Sequence, residues 1–251
     1  MTSADERADA TTSAATTTQA PHSQTLSRGI RALEVLADAR TPLTIDELAA
    51  QLGLHRSVAY RLLRTLEDHR LVVRDARGRV ALGARLAALA AGVAHDLQAE
   101  ALPELTAAAN ELGMTCFLAV HDRGEVVTLV SVEPRHAIAS VAQRPGTRHP
   151  VGVGAPGKAI LLAMPERTWP VDVDGVDGVH RAELDRARAN GYATSHDEVI
   201  TGLRSVSVPL PLHGHEAAAL AVVYVSSDRS DAEIAARLSA ASRTIRASLG
   251  S

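Results

Sequence analysis

A single cysteine, Cys116, stands in 251 residues, so no disulfide can close within the chain. The expectation is a small core side chain in a reducing compartment. Aromatic residues are five in all, so any core rests on Leu, Val, Ile and Ala. No apolar run is long enough to span a bilayer, and the N-terminus lacks the hydrophobic core of a signal peptide. The expected location is therefore cytoplasmic, with no membrane partner. Lysine occurs once, at Lys158, against 25 arginines; a lone Lys in such a bias marks a position where Arg does not serve. Eleven histidines form no H-x-x-x-H spacing, and His213 and His215 fall in a turn, so no metal site is expected.

What is present is unevenly spread. The net charge is −3, yet Leu26 to Ala87 holds eleven arginines against seven acids. A basic block joined to an acidic remainder points to one part that meets phosphate and another that does not.

Within the basic block, Thr44 and Glu47 form a capping box, in which each residue satisfies the other's backbone N–H. Ile45, Leu48, Ala49 and Leu52 follow on one helical face, and Gly53 ends the helix in the left-handed conformation. A second helix opens near Arg56, with Val58, Leu62 and Leu66 inward and Ala59 beside them. Arg56, Ser57, Tyr60, Arg61 and Arg64 face outward. An apolar seam that fixes the angle, with donors opposite, is what a helix–turn–helix needs to enter a major groove. Leu71–Arg74 and Arg79–Leu82 read as two strands around a turn at Asp75–Gly78, a wing that carries Arg77 and Arg79 towards phosphate or the minor groove.

The rest divides by composition and period. Residues 1–25 are rich in Thr, Ala and Ser and too poor in apolar side chains to offset chain entropy, so a disordered tail is expected. Residues 26–87 form the winged domain, opened by a helix (26–39) with Ile30, Leu33, Val35 and Leu36 as its stripe. A connecting helix occupies 88–112, within an Ala/Leu-rich stretch from Gly83 interrupted near Pro103. Residues 113–251 then show strands at Cys116–Val120, Val126–Val132, Ile138–Ala142, Ser205–Leu210 and Ala217–Ser226. Helices are expected at Lys158–Met164, Arg181–Asn190 and Asp231–Leu249. The fold class is α+β.

Segments spread over Leu26–Leu249 carry a family resemblance. SRGIRALEVLADA (27–39), ELAAQLGLHRSVAYRLLRTLEDHRLVVRD (47–75) and LGARLAALA (82–90) are joined by HPVGVGAPGKAILLA (149–163), RANGYATSHDEVITGLRSVSVPL (188–210) and LAVVYVS (220–226). The chain resembles the IclR family of bacterial transcription regulators. The resemblance implies an N-terminal winged helix–turn–helix that binds operator DNA and a GAF-like α/β domain that binds a small metabolite. It also implies assembly as a dimer or tetramer, and repression more than activation. It nominates Pro156, Gly157, Ser195, Leu203, Ser205, Tyr224 and Ser226 for the effector pocket, and assigns Glu198 and Gly202 to shaping its loop. Hydroxyls set in an apolar wall suit a small polar or carboxylated molecule, and a carboxylate or an aromatic is the effector expected. Two positions depart from the pattern: His55 stands where Ser or Pro usually opens the recognition helix, and Arg70 where Gly usually precedes the wing.

Gly152–Lys158 satisfies both G-x-G-x-x-G and G-x-x-x-x-G-K. Position 159 is Ala, so the Mg²⁺-holding hydroxyl is missing, and Pro156 removes an N–H from any phosphate cradle. A Gly-rich loop at a helix start, suited to an anionic ligand group, is the better reading, with no cofactor. His149 beside it is a candidate for the pocket or an interface. The competing class is a metabolite-binding enzyme or hydrolase whose winged domain does not bind DNA. Cys116 with His121, or Ser195-His196-Asp197, would have to supply its chemistry. Residues adjacent on a strand do not form a relay, so no catalytic residue is assigned. A protein–protein adaptor using the winged fold is the third class.

Overall fold

The computed structural model describes residues 23–39, 41–135, 141–169, 179–214 and 216–251. The expected tail up to residue 22 and most of the strand expected at 138–142 lie outside them. The chain forms two compact units, Met1–Val93 and Ala94–Ser251.

The first unit is built on three helices: α1 (Gln24–Asp38), α2 (Ile45–Leu52) and α3 (Arg56–Asp68). Ser23, which the expected tail included, instead caps α1 by accepting from the Leu26 N–H. The Thr44–Glu47 capping box starts α2, and Gly53 ends it at φ 63°. A hairpin follows, β1 (Val72–Arg74) and β2 (Val80–Leu82), tied back to the α1–α2 linker by paired backbone bonds between Leu43 and Val80. Ala32, Leu36, Leu48, Leu63, Val72 and Val80 form the core.

Two helical faces are rotated from expectation. On α1 the buried residues are Gly29, Ala32 and Leu36, whereas Ile30 is 49% exposed. The apolar stripe is wide enough to offer two faces, and the face with the smaller residues allows the closer approach. On α3 Leu63 is fully buried, while Val58 and Leu66 are half-buried.

The connector is not one helix interrupted at Pro103. α4 (Arg85–Ala90) ends before Gly92, and α5 (His95–Leu112) begins after Ala94, which takes φ 45°. Pro103 is exposed and lies inside α5 without ending it. The buried face of α5 belongs to the second unit's core.

That unit is a six-stranded antiparallel sheet in the order β5-β4-β3-β8-β7-β6. Its strands are β3 (Thr115–Asp122), β4 (Glu125–Val132), β5 (Arg148–Pro150), β6 (Ala193–His196), β7 (Arg204–Leu210) and β8 (Ala218–Tyr224). α5 and α8 (Asp231–Ser248) pack one face, where Cys116, Leu118, Val206, Leu220 and Val222 point. α6 (Gly154–Ala163) and α7 (Val179–Asn190) pack the other, where Phe117, Ala119, Ala221 and Val223 point. The central strand β8 is buried along its whole length, as a strand covered on both faces must be.

α6 starts four residues before its expected position and takes in the Gly-rich segment. Pro156 is tolerated there because the N–H of a first-turn residue has no helical partner to lose. Gly157 is required by packing: a Cβ there would lie 2.1 Å from the Val151 carbonyl oxygen.

Candidate nucleic-acid interface and ligand cavity

α3 presents its outer face to solvent through Arg56, Ser57, Tyr60, Arg61 and Arg64, all exposed. His55 caps the helix with its ring: Nδ1 accepts from the Ser57 N–H and lies 2.9 Å from the Ser57 hydroxyl. An imidazole thus does the work of the Ser found in the family pattern. Arg56 is paired with Asp46 of α2 at 2.5 Å, with both partners exposed. Arg61 and Arg64 make no ion pair with any described residue, so their guanidinium charge is free for a phosphate or a base edge.

The wing follows from local chemistry. Asp75 accepts from the backbone N–H groups of both Arg77 and Arg79, which closes the three-residue tip, and Gly78 completes it at φ 76°. The Arg77 side chain is left at the exposed tip. The Arg79 guanidinium donates to the Pro42 carbonyl at 3.3 Å, so it braces the wing as well as facing outward. Sequence reasoning passed over Arg74. Its guanidinium grips Glu67 through two bonds, at 2.7 and 2.9 Å, and lies 5.7 Å from the Tyr60 ring centroid. The Glu67 carboxylate holds the Arg74 pKa above its ordinary value. Arg74 therefore fixes Tyr60 on the reading face.

In the second unit the nominated pocket residues separate. Pro156, Ser195, Leu203 and Ser205 line one small cavity of about 40 Å³, with Phe117, His149 and Glu198. Ser195, Ser205 and Tyr224 border a wider polar cleft of about 380 Å³ beside β6 and α7. Tyr224 is on the α5/α8 face of the sheet, where its hydroxyl donates to Asp231 at 3.0 Å; burial first, and that carboxylate second, push its pKa up to about 12. Gly157 is pressed against Val151 and lines neither space. Ser226 lies past the end of β8 and lines a third cavity with Leu112–Thr115. The Ser205 hydroxyl donates to the Val222 carbonyl at 2.7 Å, and its oxygen still has a lone pair to offer a ligand.

The start of α6 is not an open anion seat. The Glu198 carboxylate occupies it, with Oε2 accepting from the Gly154 N–H at 2.9 Å and Oε1 2.7 Å from Lys158 Nζ. Lys158 is 3% exposed and also pairs with Glu183 at 2.5 Å. Arg has no geometry for this buried position: a compact ammonium fits between two carboxylates where a guanidinium fork would not. Glu198 is thus a charged member of the cavity wall as well as a loop residue; its spacing of forty residues from Lys158 left no local signal. His149 donates from Nδ1 to the Pro150 carbonyl at 3.1 Å, and burial lowers its pKa below the ordinary value.

The residues considered for catalysis are held otherwise. Cys116 is fully buried, and burial pushes its thiol up to about 12, which keeps it protonated. The His121 ring accepts from the Gly124 N–H at 3.0 Å, as part of the β3–β4 turn. Ser195 and His196 lie on opposite faces of β6, as neighbours on a strand must.

An outward arginine face on a helix–turn–helix, with a separate sheet unit holding a walled cavity, is the arrangement that known proteins can be set against. The IclR helix-turn-helix domain matches residues 25–76. The HTH-type transcriptional regulator Rv1719 of Mycobacterium tuberculosis is 30% identical over 199 residues, covering 74% of this chain and 76% of the relative. The chain belongs to the IclR family. The crystal structure of an IclR transcriptional regulator from Alicyclobacillus acidocaldarius superposes with a TM-score of 0.79 at 28% identity, over 92% of this chain and all of that one. An IclR homologue from Microbacterium hydrocarbonoxydans, crystallised with 4-hydroxybenzoate, gives 0.75 at 25% identity, over 90% of this chain and 99% of that one. This IclR-family protein is a DNA-binding transcriptional regulator with an N-terminal helix–turn–helix and a C-terminal α/β unit. No helix among the described residues is long and apolar enough to cross a membrane.

Proposed function

We propose that the protein is a cytoplasmic repressor that binds operator DNA through α3 and the wing of residues 26–87, as a homodimer or tetramer. Its affinity for the operator is set by a small carboxylated or aromatic metabolite held in residues 113–251. Arg56, Ser57, Tyr60, Arg61, Arg64, Arg77 and Arg79 are the proposed DNA contacts. Pro156, Ser195, Leu203 and Ser205 are the proposed effector contacts, with Tyr224 at the edge of the wider cleft. Gly157 and Ser226 leave that proposal on the geometry above.

The observation that carries the reading is the pair of exposed arginines, Arg61 and Arg64, on the outer face of α3, neither of them ion-paired with a described residue. The relative crystallised with 4-hydroxybenzoate supports the ligand class. The mechanism is a coupling free energy: a ligand that binds better to the protein off its operator weakens operator binding by the same factor. A gel shift against DNA upstream of the protein's own gene tests it. The expected result is a shifted band at low salt that fades when the right carboxylate is added. A band absent at every salt and protein concentration would remove the reading.

A further inference from the structure

The small cavity and the wide cleft share a wall, made of Ser195, Glu198, Arg204 and Ser205. At about 40 Å³ the small cavity has room for a water or two and none for a metabolite. The cleft, at about 380 Å³, falls within the size range of ligand pockets. Of these four, Glu198 is the one whose side chain is clasped from the start of α6, by Lys158 and the Gly154 N–H. Val199 beside it closes over the same point: a Cβ on Gly154 would lie 2.8 Å from Val199 Cγ2.

Charge decides what could enter. One ammonium, Lys158, is shared between two carboxylates, Glu183 and Glu198, and Glu183 also lies 3.9 Å from Arg186. A third carboxylate added beside Lys158 would be repelled by both, and the ammonium's charge is already shared between them; Arg204, which lines both spaces, is the other cation within reach. An anion reaches Lys158 only by exchange with one of them. Glu183 is fixed in α7, whereas Glu198 sits in the exposed loop Asp197–Leu203, closed on itself by bonds between Asp197 and Leu203 and between Gly202 and Asp197. The loop carboxylate is the one able to leave as part of a small unit.

We propose that Glu198 is a removable partition that stands in for the carboxylate of the ligand. When a small carboxylate takes its place on Lys158 and the Gly154 N–H, Glu198 withdraws and the two cavities become one. Glu198 then sets the affinity for anionic ligands by competing with them, and it has no such effect on neutral ones. The inference rests on the reading of this cavity as the effector site.

Isothermal titration of the full chain with benzoate and with benzamide, matched in size, tests it. Glu198→Gln keeps an acceptor for the Gly154 N–H and loses the charge that competes for Lys158. Benzoate should bind this variant about tenfold or more tightly than the wild type, while benzamide changes by less than about twofold. Equal or weaker benzoate binding in Glu198→Gln overturns the proposal, and so does the absence of benzoate binding to both proteins at about 10 mM. Where circular dichroism shows Glu198→Gln unfolded, Glu198→Asp decides. One methylene shorter, it should loosen the clasp and raise benzoate affinity, and an unchanged affinity overturns the proposal. The operator shift of the wild type is read separately, so losing the partition does not entail losing the regulator.

Discussion

Burial of the His149 ring lowers its pKa in the folded protein below the ordinary value near 6.5, so below that value the unfolded chain binds the extra proton first. Stability is therefore complete above the unfolded pKa and falls as pH drops through it towards the folded one. Thermal unfolding should show a lower Tm at pH 5.5 than at pH 7.5, and His149→Gln should reduce that difference; an equal difference in the variant would place the pH sensitivity elsewhere. Arg70 carries a different local cost. It ends α3 at φ 59°, in the left-handed region where a side chain strains the backbone by about 1 kcal/mol. Arg70→Gly should raise the urea midpoint by an amount that corresponds to a few tenths of a kcal/mol up to about 1 kcal/mol, because glycine also gains freedom in the unfolded chain. A lowered midpoint would show that the Arg70 side chain has a stabilising contact that outweighs the strain.

Elements built from local rules were legible in the sequence, and those built from contacts far along the chain were not. The Thr44–Glu47 box, the Gly53 stop, the outward face of α3 and the wing turn at Asp75–Gly78 each depend on residues within four or five positions. β5 and β6 leave no signal in the sequence: they are short edge strands of three and four residues whose identity comes only from pairing with β4 and β7. The start of α6 lies earlier than its sequence suggests because Gly154, Pro156 and Gly157 have poor helix propensity, which the packing of Gly157 against Val151 overrides. That close approach makes a firm prediction. Gly157→Ala should lower stability by about 3 kcal/mol, since the added methyl has only fixed backbone to push against. A Tm within a degree or so of the wild type would mean that α6 can slide away from Val151. The cavity was half-legible for the same reason. Ser195, Leu203 and Ser205 come together as nominated, but Tyr224 lies on the α5/α8 face and the Glu198–Lys158–Glu183 cluster joins three separate elements.

At the scale of the whole molecule, the charge asymmetry of the sequence finds its place: the arginine-rich segment falls in one compact unit, and the sheet falls in the other, where the buried Lys158 is already paired with two carboxylates. Electrostatic affinity for DNA should thus reside in the first unit and ligand selectivity in the second. The outer face of α3 is where the protein should meet phosphate. Fluorescence anisotropy of a labelled upstream duplex, titrated over a range of salt, measures it. The wild type should lose affinity steeply with salt, and the double variant Arg61→Ala, Arg64→Ala should bind far more weakly. If both side chains sit on phosphates, its log–log slope should be shallower by about 1.8, or roughly 0.9 for each phosphate left without its arginine. A folded double variant with the affinity and slope of the wild type would contradict the account.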